Sequence, residues 1–168
     1  MTRARPWAKF TPVLLLAAVP VVGLMAGLGS AVPIGAATTE RVVSDRNTGL
    51  AISGFDPVTY FTDGKAAPGA DDHEYSYAGV VWRFRNEGNL AAFAGDPDIY
   101  MPRFGGYDPT GVARGVAVPG HPEIWLVAAG RLYLFATPSA RGAFVADAAE
   151  ITAGADRTWP AVALKLAR

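Results

Sequence analysis

The sequence predicts a small, single-domain α+β protein. Two runs of alternating or strongly apolar residues are each interrupted by a two-residue Ala-Gly connection, the length and composition of a tight hairpin turn. They are His73–Tyr77 with Val80–Phe84 about Ala78-Gly79, and Ile124–Val127 with Leu132–Phe135 about Ala129-Gly130. Around them lie short apolar stretches that open on capping residues: Asp56-Pro57, Asn86, Asp96-Pro97 and Thr137-Pro138. Such residues satisfy the orphan amides of a first helical turn, and proline fits its first position. With 168 residues the chain suffices for one domain and is short for two.

Composition removes several function classes. Fifteen basic residues balance 15 acidic ones with no basic run, so the electrostatic footprint of a nucleic-acid binder is missing. There is no cysteine, which excludes disulfides, thiolate metal sites, iron–sulfur clusters and a cysteine nucleophile. The 13 prolines and 19 glycines are dispersed, not tandem, which excludes collagen-like and low-complexity chains. No internal repeat is visible along the chain.

The N-terminus reads as a secretory signal. Arg3, Arg5 and Lys9 precede a stretch with no charge before Glu40, and Val13–Leu28 is strongly apolar. Gly35 and Ala37 provide the small residues of a cleavage site after Ala37, so residues 1–37 are expected to be a signal peptide. The alternative is an uncleaved membrane anchor over residues 10–37, since about 20 apolar residues suffice to cross a bilayer. Pro20, Pro33 and several glycines weaken that alternative. On either reading the remainder is extracytoplasmic, periplasmic or secreted, by the general secretory route; the arginines are split by Ala4 and form no twin-arginine signal. The exported part, of roughly 130 residues, can bury about two thirds of its unfolded surface without a disulfide.

Element by element, residues 38–49 read as a polar tether and 50–168 as the folded domain. Leu50-Ala51-Ile52 suits a short strand, and Asp56-Pro57 opens one helical turn. In the first hairpin, pairing Tyr77 with Val80 sets Tyr75 against Trp82, His73 against Phe84, and Glu74 against Arg83 on the other face. Asn86 caps a helix through Leu90 and Phe93 that Gly95 stops, and Asp96-Pro97 opens a further short turn. Met101–Pro109, with Gly105-Gly106 and two prolines, is expected to be irregular. Both faces of the second hairpin are apolar, which makes it central. Thr137-Pro138 starts a helix through Phe144, and a last helical stretch covers about 148–157 before Trp159-Pro160.

Phe55-Asp56-Pro57-Val58-Thr59-Tyr60-Phe61, Tyr77-Ala78-Gly79-Val80-Val81-Trp82-Arg83-Phe84 and Phe104-Gly105-Gly106-Tyr107 follow one another at spacings that resemble the exported branch of the YHS domain family. Val118-Pro119-Gly120-His121-Pro122-Glu123-Ile124-Trp125 and Arg131-Leu132-Tyr133-Leu134-Phe135 continue the resemblance, which spans about 50–160. It implies a treble-clef-like architecture and a role in metal handling or as an accessory module. Many relatives carry cysteine after the Gly-Gly-Tyr, where this chain has Asp108. A soft-metal thiolate site is therefore not carried over.

Candidate chemistry is sparse. Gly-x-Ser-x-Gly and Gly-x-Gly-x-x-Gly are absent, and no acid–base pair or nucleophile constellation emerges, so the expectation is a non-catalytic binding or accessory module. The ligand-binding candidates are Arg103, Gly105, Gly106, Tyr107 and Asp108: glycines permit close backbone approach, and the side chains beside them donate and accept. Arg114 flanks the same loop. An alternative is a cysteine-independent site for a transition-metal ion such as Cu(II) or Zn, using His73, His121 and Asp108. A further alternative is a protein–protein adaptor or accessory subunit of an envelope enzyme, suggested by the aromatic-rich strands. The expected partners are accordingly a small ligand or an envelope protein, with no nucleic acid and with membrane contact only through an uncleaved N-terminal segment.

Overall fold

The computed structural model describes residues 40–166. The stretch expected to be a signal peptide or anchor, residues 1–37, and the expected cleavage point after Ala37 lie outside the described residues. Among the described residues no helix is long and apolar enough to cross a membrane.

The α+β expectation holds. Strands β1 (Ala70–Tyr77) and β2 (Val80–Phe84) form one antiparallel hairpin, and β3 (His121–Ala128) and β4 (Arg131–Phe135) form another. The helices are α1 (Thr59–Thr62), α2 (Glu87–Gly95), α3 (Pro97–Tyr100), α4 (Pro109–Ala113), α5 (Pro138–Ala146) and α6 (Ala148–Leu166). Asn86 and Thr137 cap α2 and α5 by accepting from the Asn89 and Ala140 amides, as their positions predict. Both turns place alanine and glycine at positive φ, 54° and 81° at Ala78-Gly79 and 48° and 69° at Ala129-Gly130, the conformation a two-residue hairpin needs.

The first hairpin has the expected register from Tyr77–Val80 to Glu74–Arg83, including a 2.7 Å ion pair between Glu74 and Arg83. Beyond Glu74 the register shifts, and Ala70 rather than His73 lies opposite Phe84. The second hairpin carries the same irregularity between His121 and Trp125. A bulge displaces one strand against the other, and alternation alone does not foresee it.

The chain does contain a repeat. About fifty residues after each feature of the first half, the second half returns the same device. Ile52-Ser53-Gly54 and Phe104-Gly105-Gly106 are both left-handed turns, with φ of 42°, 57° and 77° against 55°, 62° and 88°. Asp56 and Asp108 follow, each before proline. Phe55 bridges Pro68 and Tyr107 bridges Pro119. Gly69 donates its amide to Gly54, and Gly120 donates to Gly106. A bulged hairpin and a capped nine-residue helix complete each half. The sequence carries the same duplication at these points: Gly54-Phe55-Asp56-Pro57, Pro68-Gly69, Ala78-Gly79, Phe84 and Phe93 return as Gly106-Tyr107-Asp108-Pro109, Pro119-Gly120, Ala129-Gly130, Phe135 and Phe144.

Two hydrophobic cores follow from this duplication, and β4 divides them. Leu132 and Leu134 point into the core of Trp82, Phe84 and Phe93, whereas Tyr133 and Phe135 point into that of Phe144, Tyr107 and Val112. The expectation that the second hairpin is central is therefore correct. The stretch read as a tether, 38–49, is not one over its described part. Val42 enters the first core and Val43 the second. The Val43 amide donates to the Gly105 carbonyl, and its own carbonyl accepts from Ile52. Two valines in a polar stretch are enough to make it a strap between the halves, so the folded domain starts before residue 50. Asp45 then closes a turn, its carboxyl held below the usual range by the amides of Thr48 and Asn47.

Helix α6 also runs further than Trp159-Pro160 suggests, to Leu166. Pro160 removes one helical hydrogen bond, and Thr158 Oγ1, with the Gly154 and Ala155 carbonyls also in reach, donates to the Val112 carbonyl and so ties α6 to α4. Val162 and Leu166 beyond the proline are buried in the second core, and that burial carries the helix through.

Candidate functional site

Asp108 is placed by the Asp-Pro start of α4. It is 2% exposed, and both carboxylate oxygens are engaged within the fold. One accepts from the Thr110 amide and hydroxyl at 2.8 and 2.7 Å, the other from the Ala136 amide at 2.9 Å. Asp56 does the same in the first half, accepting from Val58, from the Arg85 amide and from Asn89. Each carboxylate thereby ties the loop after a left-handed turn to the end of a hairpin. Tyr107 is likewise buried, its hydroxyl donating to the Glu40 carbonyl at 2.6 Å. Gly106 is buried, with its carbonyl accepting from Gly120. Of the five residues expected to contact a ligand, these three serve the interior.

Arg103 and Gly105 face a cleft of about 700 Å3. Its walls come from parts far apart in sequence: the strap with Arg41, the left-handed turn with Phe104, Arg131 at the start of β4, and Asp156 and Trp159 of α6. Ala78, at the tip of the first hairpin, reaches the same space. The Gly105 position has no room for a side chain, since a Cβ there would lie 1.9 Å from the Arg41 carbonyl oxygen. That close passage brings Arg41 to the cleft edge.

Three guanidiniums meet two carboxylates here, Asp98 and Asp156. Arg103 is ion-paired with Asp156, and its guanidinium carbon lies 5.1 Å from the centre of the Phe104 ring. Trp159 packs edge-on to Phe104 and tilted against Tyr107, at centroid distances of 5.8 and 6.1 Å. The Nε atoms of Arg103 and Arg131 are buried and have no hydrogen-bond partner among the described residues. Among the described residues neither Arg41 nor Arg131 has a carboxylate within ion-pair distance. Arg114 is exposed after α4 and is not part of the cleft wall.

The metal alternative finds no gathered ligands. Among the described residues no three His, Cys, Asp or Glu side chains form a metal-ligating group, so His73, His121 and Asp108 are not brought together. His73 lies 3.7 Å from Asp72 in the first hairpin. His121 Nδ1 accepts from the Glu123 amide in the second. Beside it, Tyr60 donates to the Pro122 carbonyl at 2.9 Å, and burial, followed by the charges of Asp56 and Glu123, pushes its phenol well above the usual range.

Of the cleft's lining only Arg103 and Gly105 were sequence candidates; its other charged groups, Arg41, Asp98, Arg131 and Asp156, and the Trp159 indole were not. Only Arg131 left a sequence signal, as the single charge in a strand pair otherwise apolar from Ile124 to Phe135. No protein-family model, curated protein or solved structure matches this chain.

Proposed function

We propose that the protein is an exported, non-catalytic binding or accessory module of the YHS kind, and that it holds a small ligand in the cleft beside residues 103–105. The observation that carries this reading is the pair of buried, unpartnered guanidinium nitrogens of Arg103 and Arg131 at one recess. Interiors rarely leave such donors unsatisfied, and where they do, a ligand is a physical reason. The recess has the size of a small-molecule site and combines apolar walls with a few polar groups.

A fragment screen followed by amide and indole NMR shifts tests this. Binding fragments are expected to perturb Arg103–Gly105, Arg131 and the Trp159 indole together. A second recess of about 420 Å3 lies between Ile124, Pro138 and the 61%-exposed Val145. If perturbations gather there instead, the adaptor reading replaces the cleft reading; if no fragment perturbs either place, the binding-module reading falls. N-terminal sequencing of protein recovered from the cell envelope tests export: a start at Thr38 supports cleavage, and an intact N-terminus makes the protein a membrane-anchored one.

A further inference from the structure

The cleft has a chemistry of its own, and we infer that it takes an oxyanion, a carboxylate or phosphate monoester, carried on an apolar or aromatic body. This rests on the cleft being the ligand site and names what the site selects. Arginine presents its donors as a rigid planar fork that matches two oxygens of a carboxylate or phosphate. Arg103 already holds such a group, the Asp156 carboxylate, and stays fixed between it and the Phe104 ring. Arg131 and Arg41 line the same space with no carboxylate of their own within ion-pair distance among the described residues.

A partly desolvated guanidinium without a counter-charge gains from an anionic partner. Arg131 is half-buried and has no carboxylate within ion-pair distance among the described residues, so an incoming oxyanion supplies the counter-charge it lacks and accepts charge-assisted hydrogen bonds from its terminal nitrogens. A cationic ligand would meet three guanidiniums against two carboxylates, one of which, Asp156, already holds Arg103. A neutral polar one would leave Arg131 without its counter-charge. Met101, Phe104 and Trp159 supply the apolar part of the wall, which selects against a bare inorganic ion and for an anion attached to a ring or short chain.

Four small probes sharing one ring separate these cases: benzoate, phenyl phosphate, benzamide and benzylamine, titrated against the full exported chain with the Trp159 indole N–H as readout. Benzoate or phenyl phosphate is expected to bind with a Kd of roughly 0.1–1 mM, and the other two more weakly by about tenfold. The better of the two anions tells carboxylate from phosphate. Arg131→Gln is expected to weaken that anion by about tenfold and Arg131→Lys, which keeps the charge without the fork, by about threefold. Arg41→Gln, at an exposed position, should cost about twofold and lessen the salt dependence. If Arg131→Gln does not fold, the lysine variant and Arg41→Gln decide the matter.

Equal binding of all four probes, unmoved by the arginine variants, overturns the oxyanion assignment while leaving the cleft as a binding site. Failure of all four to shift Trp159 also overturns it, and the fragment screen then judges the cleft separately.

Discussion

The two halves of the molecule use one backbone plan and differ in what surrounds it. In the first half Phe93 sits among Tyr75, Tyr77, Trp82 and Phe84, with ring centroids 5.0–6.3 Å away. In the second, Phe144 has Tyr133 and Phe135 as its ring neighbours among the described residues. The helix after α2 is the four-residue α3, whereas the helix after α5 is the 19-residue α6. The left-handed turn of the first half exposes Ser53, while that of the second lies under the strap at Gly105. The cleft described lies in the second setting, where turn, strap and α6 meet. Duplication supplies the scaffold, and the candidate site lies where the copies diverge.

The largest test of this equivalence removes the two buried carboxylates. Asp56→Ala and Asp108→Ala each strand three donors, two of them backbone amides, that now hold a turn to a hairpin end. Each is expected to lower stability by about 3–5 kcal/mol in denaturant unfolding, because hydrogen bonds to a buried charge are the costly ones to break. Comparable losses confirm that the two carboxylates do the same task. A tolerated Asp108→Ala beside a destructive Asp56→Ala would show that the second copy has been relieved of it.

A smaller effect sharpens the contrast between the turns. Gly105→Ala places a Cβ against the Arg41 carbonyl at a φ of 62°, so the strap must lift, and a loss of about 2–4 kcal/mol is expected. Ser53→Gly at the equivalent place relieves a strained φ of 57° with nothing displaced, and should raise stability by about 0.5 kcal/mol. Thermal melts of the two variants read opposite signs if the halves differ as described. Equal signs would mean that Arg41 yields freely, which would also loosen the cleft edge.

What was legible in the sequence was local. Asn86 and Thr137 announce their helices by capping chemistry, and Ala78-Gly79 and Ala129-Gly130 announce their hairpins by turn chemistry. Within the candidate site, Arg103 and Gly105 were found because glycine beside arginine is visible in one short loop. Asp108 was misjudged for the same reason: its partner Ala136 lies beyond the second hairpin, so local reading could not see that the carboxylate was already engaged. Arg41 and Trp159 reach the cleft only through the strap and through a helix that continues past Pro160. The repeat was legible in part, since Asp56-Pro57, Pro68-Gly69, Ala78-Gly79, Phe84 and Phe93 recur as Asp108-Pro109, Pro119-Gly120, Ala129-Gly130, Phe135 and Phe144; only the left-handed turns, Ile52-Ser53 against Phe104-Gly105, are matched in φ angles alone.

A last test, smaller than the loss of either carboxylate, separates the halves by titration. Tyr60 and Val112 occupy corresponding places after Asp56-Pro57 and Asp108-Pro109, and both are buried, but only Tyr60 carries a proton. Burial raises its folded pKa above the value of about 10 that holds in the unfolded chain, so the folded state keeps the proton longer. The stability this contributes is complete below pH 10. Above it the unfolded state ionises first, and stability falls by about 1.4 kcal/mol for each pH unit until the folded phenol itself titrates. Tyr60→Phe loses the hydrogen bond to Pro122, about 1 kcal/mol at neutral pH, and abolishes this part of the alkaline slope. Denaturant midpoints between pH 7 and about 11 should therefore converge for the two proteins as pH rises. Parallel curves would mean that the phenol ionises alike in both states, and that the first half is no more sensitive to alkali than the second.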